Sequence, residues 1–452
     1  MNRLKSFPSL YALTWLSSLF NLVIGLSVAE PLAAQQPLVP IDDEIAAKFT
    51  AVIDDPRVQQ TLQLIEVQEP EYVQEHLRIT EVAAPPFMEQ ERAEYYLGLM
   101  RERGLPDTYI DDIGNVIGTR RGSGNGPTLL IAAHLDTVFP PEIDTTVSQE
   151  GERYYAPGIG DDTRGLAAML SVIGALHESE IETTADIMFS ANVGEEGLGD
   201  LRGIKALFKD HPEIDGFISI DGVRLQYITT GGTGSRRFEF QFTGPGGHSF
   251  SAFGLPSAIH ALGRAIAKIA ELETPQFPKT TFTVGTITGG TSVNSIAAEA
   301  TFAIDMRSNN AEALARLERE AKQAALDAVS EENQRWGSEV IDVEFVLIGD
   351  RPVGRTPVTS PIVQIAALSF DYLEVGAIGL GIYSTDSNVP MSMNIPAITL
   401  GGGGDGDGAH SPREWFAPVD SHLGPQSVLL NVLTLAGIEG VSKPALTEID
   451  SR

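Results

Sequence analysis

Four stretches of the chain are apolar on both alternating faces, and each breaks into a polar, often glycine-bearing loop. Thr128 to Ala133 runs into His134, and Asp186 to Ala191 into Glu195 and Glu196. Phe217 to Ile220 runs into Asp221, and Ala397 to Leu400 into Gly401 to Gly404 and then His410. A continuous apolar run predicts a strand covered on both sides, as in a parallel sheet. Leu166, Met169, Leu170, Ile173 and Leu176 recur at helical spacing, so a helix separates the first two strands. Glu89 to Arg103 predicts an earlier amphipathic helix, while Pro37 to Pro86 reads as a linker with an early helical segment.

The pattern changes from about Gly234 to Asp350. Arg237 to Phe242 alternates polar and apolar with period two, which predicts a half-buried antiparallel strand. A helix over Pro256–Leu272 follows, then strands near Thr281–Thr286 and Ala298–Asp305, a long helix from Ala311 to Glu331, and a strand over Val340–Ile348. That order is β-α-β-β-α-β, a ferredoxin-like α+β unit inserted into the α/β domain. At 452 residues the chain is long for one core, and two domains are the natural division. The reading assigns 40–233 and 351–452 to an α/β catalytic domain with a mixed, largely parallel sheet. It assigns 234–350 to a lid or dimerisation domain. No internal repeat is present.

The first residues differ in kind. Arg3 and Lys5 precede an apolar run from Leu10 to Val28, with small residues at Ser27, Val28, Ala29, Ala33 and Ala34. Residues 1–34 therefore read as a secretory signal peptide, with a retained membrane anchor as the alternative. Export to a periplasm or cell exterior is the expected location. The chain has no cysteine, which excludes disulfides, thiolate ligands and cysteine nucleophiles at once. Thirty-one basic against 61 acidic residues give a net charge of −30, which argues against a nucleic-acid partner.

Chemistry concentrates where strands end. His134, Glu195, Glu196, Asp221 and His410 follow the four apolar runs, and Asp161 lies in the loop Gly158 to Asp162 just before a helix. Open α/β sheets bind ligands at that edge. Imidazoles with carboxylates are a donor set for zinc or a similar ion, and the number suffices for two ions if one carboxylate bridges. Singly, each piece has a plainer reading: a turn, a solvated helix start, a helix cap or a flexible glycine loop. Their order on successive strand ends is what points to a metal centre. Asp136 stands two residues after His134, on the same side of an extended chain, and is expected to hydrogen-bond the imidazole nitrogen facing away from the metal. Of the adjacent pair Glu195 and Glu196, one can bind metal while the other reaches the water.

His134-Leu135-Asp136-Thr137-Val138, Gly160-Asp161-Asp162, Gly194-Glu195-Glu196-Gly197, Ile220-Asp221-Gly222, Gly244-Pro245-Gly246-Gly247-His248-Ser249 and Gly408-Ala409-His410-Ser411 resemble the M20 metallopeptidases, with the peptidase T-like branch nearest. The resemblance runs from about residue 80 to the end and implies a zinc-exopeptidase-like catalytic domain. It implies that His134 and His410 are terminal ligands, that Asp161 bridges, and that Glu196 and Asp221 complete the two sites. Glu195 becomes the general base and Asp136 the residue orienting His134. His248 would stabilise the developing oxyanion, in several members from the partner subunit. Asn294 and Arg307 match positions that hold a substrate carboxylate. The resemblance also implies a homodimer through the lid and two divalent ions, zinc, with cobalt or manganese as alternatives. Many members carry lysine after the bridging aspartate, whereas this chain has Asp162-Thr163-Arg164-Gly165; no role transfers to Thr163 or Arg164, nor to Ser384–Pro390.

Aspartate at the position of Asp221 goes, in that family, mostly with aminopeptidases and dipeptidases. The expected activity is therefore two-metal hydrolysis of amide bonds in short peptides. An N-acyl-amino-acid amidohydrolase or carboxypeptidase on the same scaffold is the alternative. A non-catalytic metal or peptide binder is a second, disfavoured because Glu195 is retained. No Gly-x-Ser-x-Gly and no His-Glu-x-x-His occurs, which removes the corresponding serine and zinc hydrolases.

Overall fold

The apolar runs form the middle of a nine-stranded sheet. In order across it lie Tyr109–Ile110, Val116–Arg120, Asp186–Asn192, Thr128–His134, Ile214–Ile220, Ala397–Leu400, Tyr227–Gly232 and Gly354–Arg355, with Gly379–Tyr383 also pairing to Tyr227–Gly232. The four central strands are mutually parallel, and the outer pairings with Val116–Arg120 and Tyr227–Gly232 are antiparallel. Every residue of Thr128–His134 and Ile214–Ile220 is buried, as a strand covered on both faces requires. The computed structural model describes residues 38–124 and 126–449; the expected signal peptide, residues 1–34, lies outside them. No helix among the described residues is long and apolar enough to cross a membrane.

The helix expected after the Asp161 loop spans Thr163–Glu178, and the Asp162 side chain caps it by accepting from the Gly165 amide. The segment expected as a linker is instead two helices, Asp43–Ile53 and Pro56–Glu81. Asp42 and Asp55 cap them, Pro56 opens the second, and Val58, Ile65, Tyr72 and Ile79 are buried against the main core. The periodicity was diluted by charged residues, and the two caps were the readable signals.

Residues 234–350 fold around a separate sheet within the unit that begins at Leu38. Its antiparallel order is Thr280–Gly289, Glu299–Ser308, Gly234–Thr243, Asp342–Arg351, the ferredoxin-like arrangement expected from β-α-β-β-α-β. Phe240, Phe302 and Ile304 on one face pack with Leu262 and Leu317 of the helices Ala258–Ala270 and Ala311–Trp336. Each such side chain contributes ~1.5–3 kcal/mol on burial. The other face carries Arg237, Asp305 and Arg307.

A third small sheet lay beyond the pattern. Asp405–Asp407 pairs with Trp415–Ala417, which pairs with Arg153–Tyr155 and thence with Ser148–Glu150. His410 therefore sits at a hairpin tip rather than directly at a strand end. The glycines before it are the approach to that hairpin.

Candidate metal centre

The four parallel strands finish side by side, and their C-terminal ends build the site. Donor atoms of His134, Asp161 and Asp221 lie within 4.8 Å of one another, and so do those of Asp161, Glu196 and His410. Asp161 belongs to both groups, which is the geometry of a bridging carboxylate. His134, Glu195 and Glu196 form a third such group. His134 Nε2 is 3.0 Å from Asp161 Oδ1, and His410 Nε2 is 2.9 Å from Glu196 Oε1 and 3.2 Å from Asp161 Oδ2.

The tautomer of His134 is settled by its other nitrogen. Nδ1 lies 2.9 Å from the main-chain oxygen of Asp136. A carbonyl only accepts, so Nδ1 carries a proton, and Nε2 is the nitrogen that would ligate an ion in the cluster. This corrects the expectation for Asp136, whose carboxylate is 3.7 Å from Nδ1. Both its oxygens instead accept amides, from Glu195 at 3.0 Å and Glu196 at 2.8 Å. Asp136 thus orients His134 through its backbone and pins the Glu195-Glu196 turn through its side chain.

The electrostatics call for cations. Burial pushes Asp221 up to about 7, with Asp161 adding to the push. Burial likewise lifts Glu195 well above the usual carboxylate range, opposed by Arg351 and helped by Glu196. Asp161 is held below the ordinary range because His134 and His410 outweigh its burial. His410, against Asp161 and Glu196, rises to about 10. Crowded carboxylates with imidazoles facing them are a donor set that fits two divalent ions.

Several residues without an assigned role support this cluster. The Asp162 carboxylate accepts from the amides of His134, Gly165 and Gly222, joining three of the loops. A Cβ on Gly165 would lie 2.3 Å from that carboxylate and 2.6 Å from Ile220 O, so only glycine fits there. Glu414, four residues past His410, accepts from the amides of Gly158, Gly160 and Asp161 and fixes the bridging loop. Arg164 is wholly buried and donates to Gly402 O, Gly403 O and Ser421 O, with Glu69 at 3.1 Å. Arg92, also wholly buried, donates to Val82 O and Leu135 O beside His134. In the segment Ser384–Pro390, Asp386 accepts from Asn192, and Asn388 donates to Thr233 O and Pro352 O, where the chain enters and leaves the lid. The Asp162 and Glu414 signals were present as polar neighbours of ligands, whereas a buried arginine on backbone carbonyls leaves no local pattern.

A cavity of about 710 Å³ opens over the cluster, lined by Asp161, Glu195, Asp221 and Tyr383 of the α/β domain and by Arg237 and Arg307 of the lid sheet. Arg307 thus reaches the cavity, paired with Asp305 at 2.7 Å. His248 and Asn294 do not line it. They sit together on an exposed part of the lid, where His248 pairs with Ser295 in a short strand and Asn294 O accepts from the Ser249 amide. Within one chain neither reaches the metal centre.

Residues 230–333 match the family model described as the peptidase dimerisation domain of M20 enzymes, and residues 115–277 match that of peptidase family M28. In fold the chain is similar to a tripeptidase from Staphylococcus aureus, with a TM-score of 0.66 and 22% identity over 80% of this chain and 97% of that one. It is also similar to the aminopeptidase PepT from Bacillus cereus, with a TM-score of 0.64 and 22% identity over 81% and 98%. A Pyrococcus abyssi protein, provisionally described as a LysW-lysine/LysW-ornithine hydrolase, is 33% identical over 135 residues, 30% of this chain and 36% of that protein. The chain spans 36% to 46% of the length of this and two similar curated relatives.

Proposed function

We propose that this chain, an M20-type metallopeptidase by family, is a two-metal exopeptidase that trims short peptides. The observation that carries the reading is the sharing of Asp161 by two ligand groups, with Glu195 beside them in a cavity. Zinc is the proposed metal, held by His134, Asp161 and Asp221 at one site and by Asp161, Glu196 and His410 at the other. When bound, such ions polarise an amide carbonyl and lower the pKa of water. Glu195 takes a proton from the attacking water on its carboxylate and returns it to the departing amine nitrogen. Asp136 keeps Glu195 and Glu196 aimed in their separate directions. Arg307 offers a charge-assisted contact to a substrate carboxylate.

The described functions of the two structural relatives, a tripeptidase and an aminopeptidase, favour peptides. An N-acyl-amino-acid amidohydrolase would use the same atoms, and Arg307 suits either substrate. Metal analysis with a panel of dipeptides, tripeptides and N-acyl amino acids separates them. Cleavage confined to blocked N-termini defeats an aminopeptidase and favours the amidohydrolase or carboxypeptidase alternative.

A homodimer through the lid accompanies the proposal. His248 and Asn294 are exposed, and Phe250, Phe253 and Val293 beside them are 86%, 78% and 103% exposed. A second copy seated there would cover that apolar surface and would bring His248 of the partner subunit to the cavity. Export through residues 1–34 is likewise proposed; sizing the mature protein by light scattering and sequencing its N-terminus test both.

A further inference from the structure

Two tyrosine rings stand half-exposed on the wall of the cavity over the metal centre. Tyr227 and Tyr383 are 45% and 50% exposed, and both line it, as does Thr229. Their centroids are 6.4 Å apart and their planes meet at 82°, an edge-to-face pair. Two parallel strands bring them together, in which Tyr227 pairs with Gly379, Ile228 with Leu380 and Thr229 with Gly381. Side chains alternate across such strands. Ile228 and Leu380 pack into the main core, so Gly379 and Gly381 lie on the other face, the one Tyr227 and Thr229 present to the cavity.

The glycines are what let the rings lie down. A Cβ on Gly379 would sit 2.8 Å from the Tyr227 ring, and one on Gly381 would run into the Tyr383 ring. A ring over a glycine at a sheet edge can serve as cover alone. A covering ring is itself buried by its neighbours, however, and these two keep about half of their surface open. Both are anchored beside the reacting groups. Tyr227 follows Asp221 by six residues, and Ser384, next after Tyr383, accepts from the arginine that holds Glu195. Val223, Leu400 and Trp415 add apolar surface to the same cavity.

We infer that Tyr227 and Tyr383 form a platform that receives an aromatic side chain of the substrate. The inference rests on the exopeptidase reading and narrows it to peptides carrying phenylalanine, tyrosine or tryptophan. An edge-to-face pair offers the face of one ring and the edge of the other, so a third ring continues the packing. Each tyrosine is a specificity residue, touching a substrate side chain and no reacting atom.

The test compares peptides of two and three alanines with the same peptides carrying one phenylalanine or one leucine. The proteins are the wild type, Tyr227→Leu, Tyr383→Leu, Tyr227→Phe and Tyr383→Phe. Wild-type kcat/KM should favour phenylalanine at one position over both alanine and leucine. A leucine substitution still covers its glycine, yet in each the phenylalanine-to-alanine ratio should fall about three- to tenfold, the worth of one aromatic pair. The two phenylalanine substitutions keep a ring and should keep the ratio. The position that responds identifies the substrate residue on the platform. A wild type that prefers leucine as much as phenylalanine overturns the platform. So does a ratio that survives either leucine substitution, as it would if the rings were cover alone. If the wild type cleaves none of these peptides, the exopeptidase reading fails; calorimetric titration of the same peptides into each metal-loaded protein then decides the platform by the corresponding ratios of affinity.

Discussion

Glu195 Oε1 lies 3.2 Å from Nη1 of Arg351, and both side chains are buried. Arg351 ends the last strand of the lid, so the candidate general base is gripped at the point where the lid rejoins the catalytic domain. The same Nη1 donates to Ser384 Oγ at 3.1 Å, and Nη2 donates to the main-chain oxygen of Glu195. Removing the carboxyl in Glu195→Ala should cut turnover by about 10²-fold or more while both ions stay bound. Removing the grip in Arg351→Gln should cost turnover about tenfold, again with metal retained. Steady-state rates beside metal content by mass spectrometry check both. Near-normal rates in Glu195→Ala would strip Glu195 of its role.

The shared position of Asp161 has a stoichiometric consequence. His410 contributes to one ligand group and His134 to the other, whereas Asp161 stands in both. His410→Ala should therefore leave about one ion per chain after dialysis, and Asp161→Ala should leave fewer than one, with activity lost in each. Chelation of the wild type should abolish turnover, and two equivalents of zinc should restore it. Equal metal content in the two variants contradicts a bridging role for Asp161.

Asp136 separates two roles that usually travel together. Its carbonyl holds His134, and any side chain leaves that contact in place. Its carboxylate holds the amides of Glu195 and Glu196. Asp136→Ala strands two buried amides at a cost of about 1–3 kcal/mol each. Ion content at the His134 group should survive, and the ion at the Glu196 group should be weakened. Calorimetric titration of zinc into the metal-free variant resolves the two steps; preferential loss of the His134 step counts against this division of labour.

That division also shows what could be read from the chain and what could not. The four buried strands and their order of ligands were legible because a two-face burial leaves a run of apolar residues, and the runs end where His134, Glu195 and Asp221 begin. The period-two alternation from Arg237 to Phe242 made the lid equally plain. Side-chain direction was less so: two-residue spacing allowed Asp136 to face His134, but the chain turns after the strand and sends the carboxylate to Glu195 and Glu196 instead. His248 and Asn294 show a related limit. Their motif could be matched, yet where an exposed lid residue ends up depends on surfaces beyond one chain. Arg92, Arg164 and Arg351 were invisible because their partners are backbone carbonyls or acids far away in sequence.

His76 supplies a test of stability rather than of turnover. It lies on the helix Pro56–Glu81, wholly buried, with Nε2 2.6 Å from Ile159 O and its ring edge-on to Phe416 at 4.7 Å. Ile159 accepts through a carbonyl, so Nε2 holds the proton, and Nδ1 has no partner among the described residues. Burial, with Arg164 adding repulsion, depresses its pKa from 6.5 to about 3. The folded protein therefore keeps His76 neutral across the window from about 6.5 down to about 3, while the unfolded chain takes up a proton there. The unfolded state binds more protons in that window, so stability is fully present above pH 6.5 and drains away as the pH falls, by up to ~1.4 kcal/mol per unit. His76→Asn keeps a neutral N–H donor and cannot titrate. It should cost stability at pH 7, yet the gap to the wild type should narrow steadily between pH 6.5 and pH 4.5. Urea unfolding midpoints at several pH values measure that gap, and a gap constant with pH would show that His76 is protonated in the folded state or accessible to water.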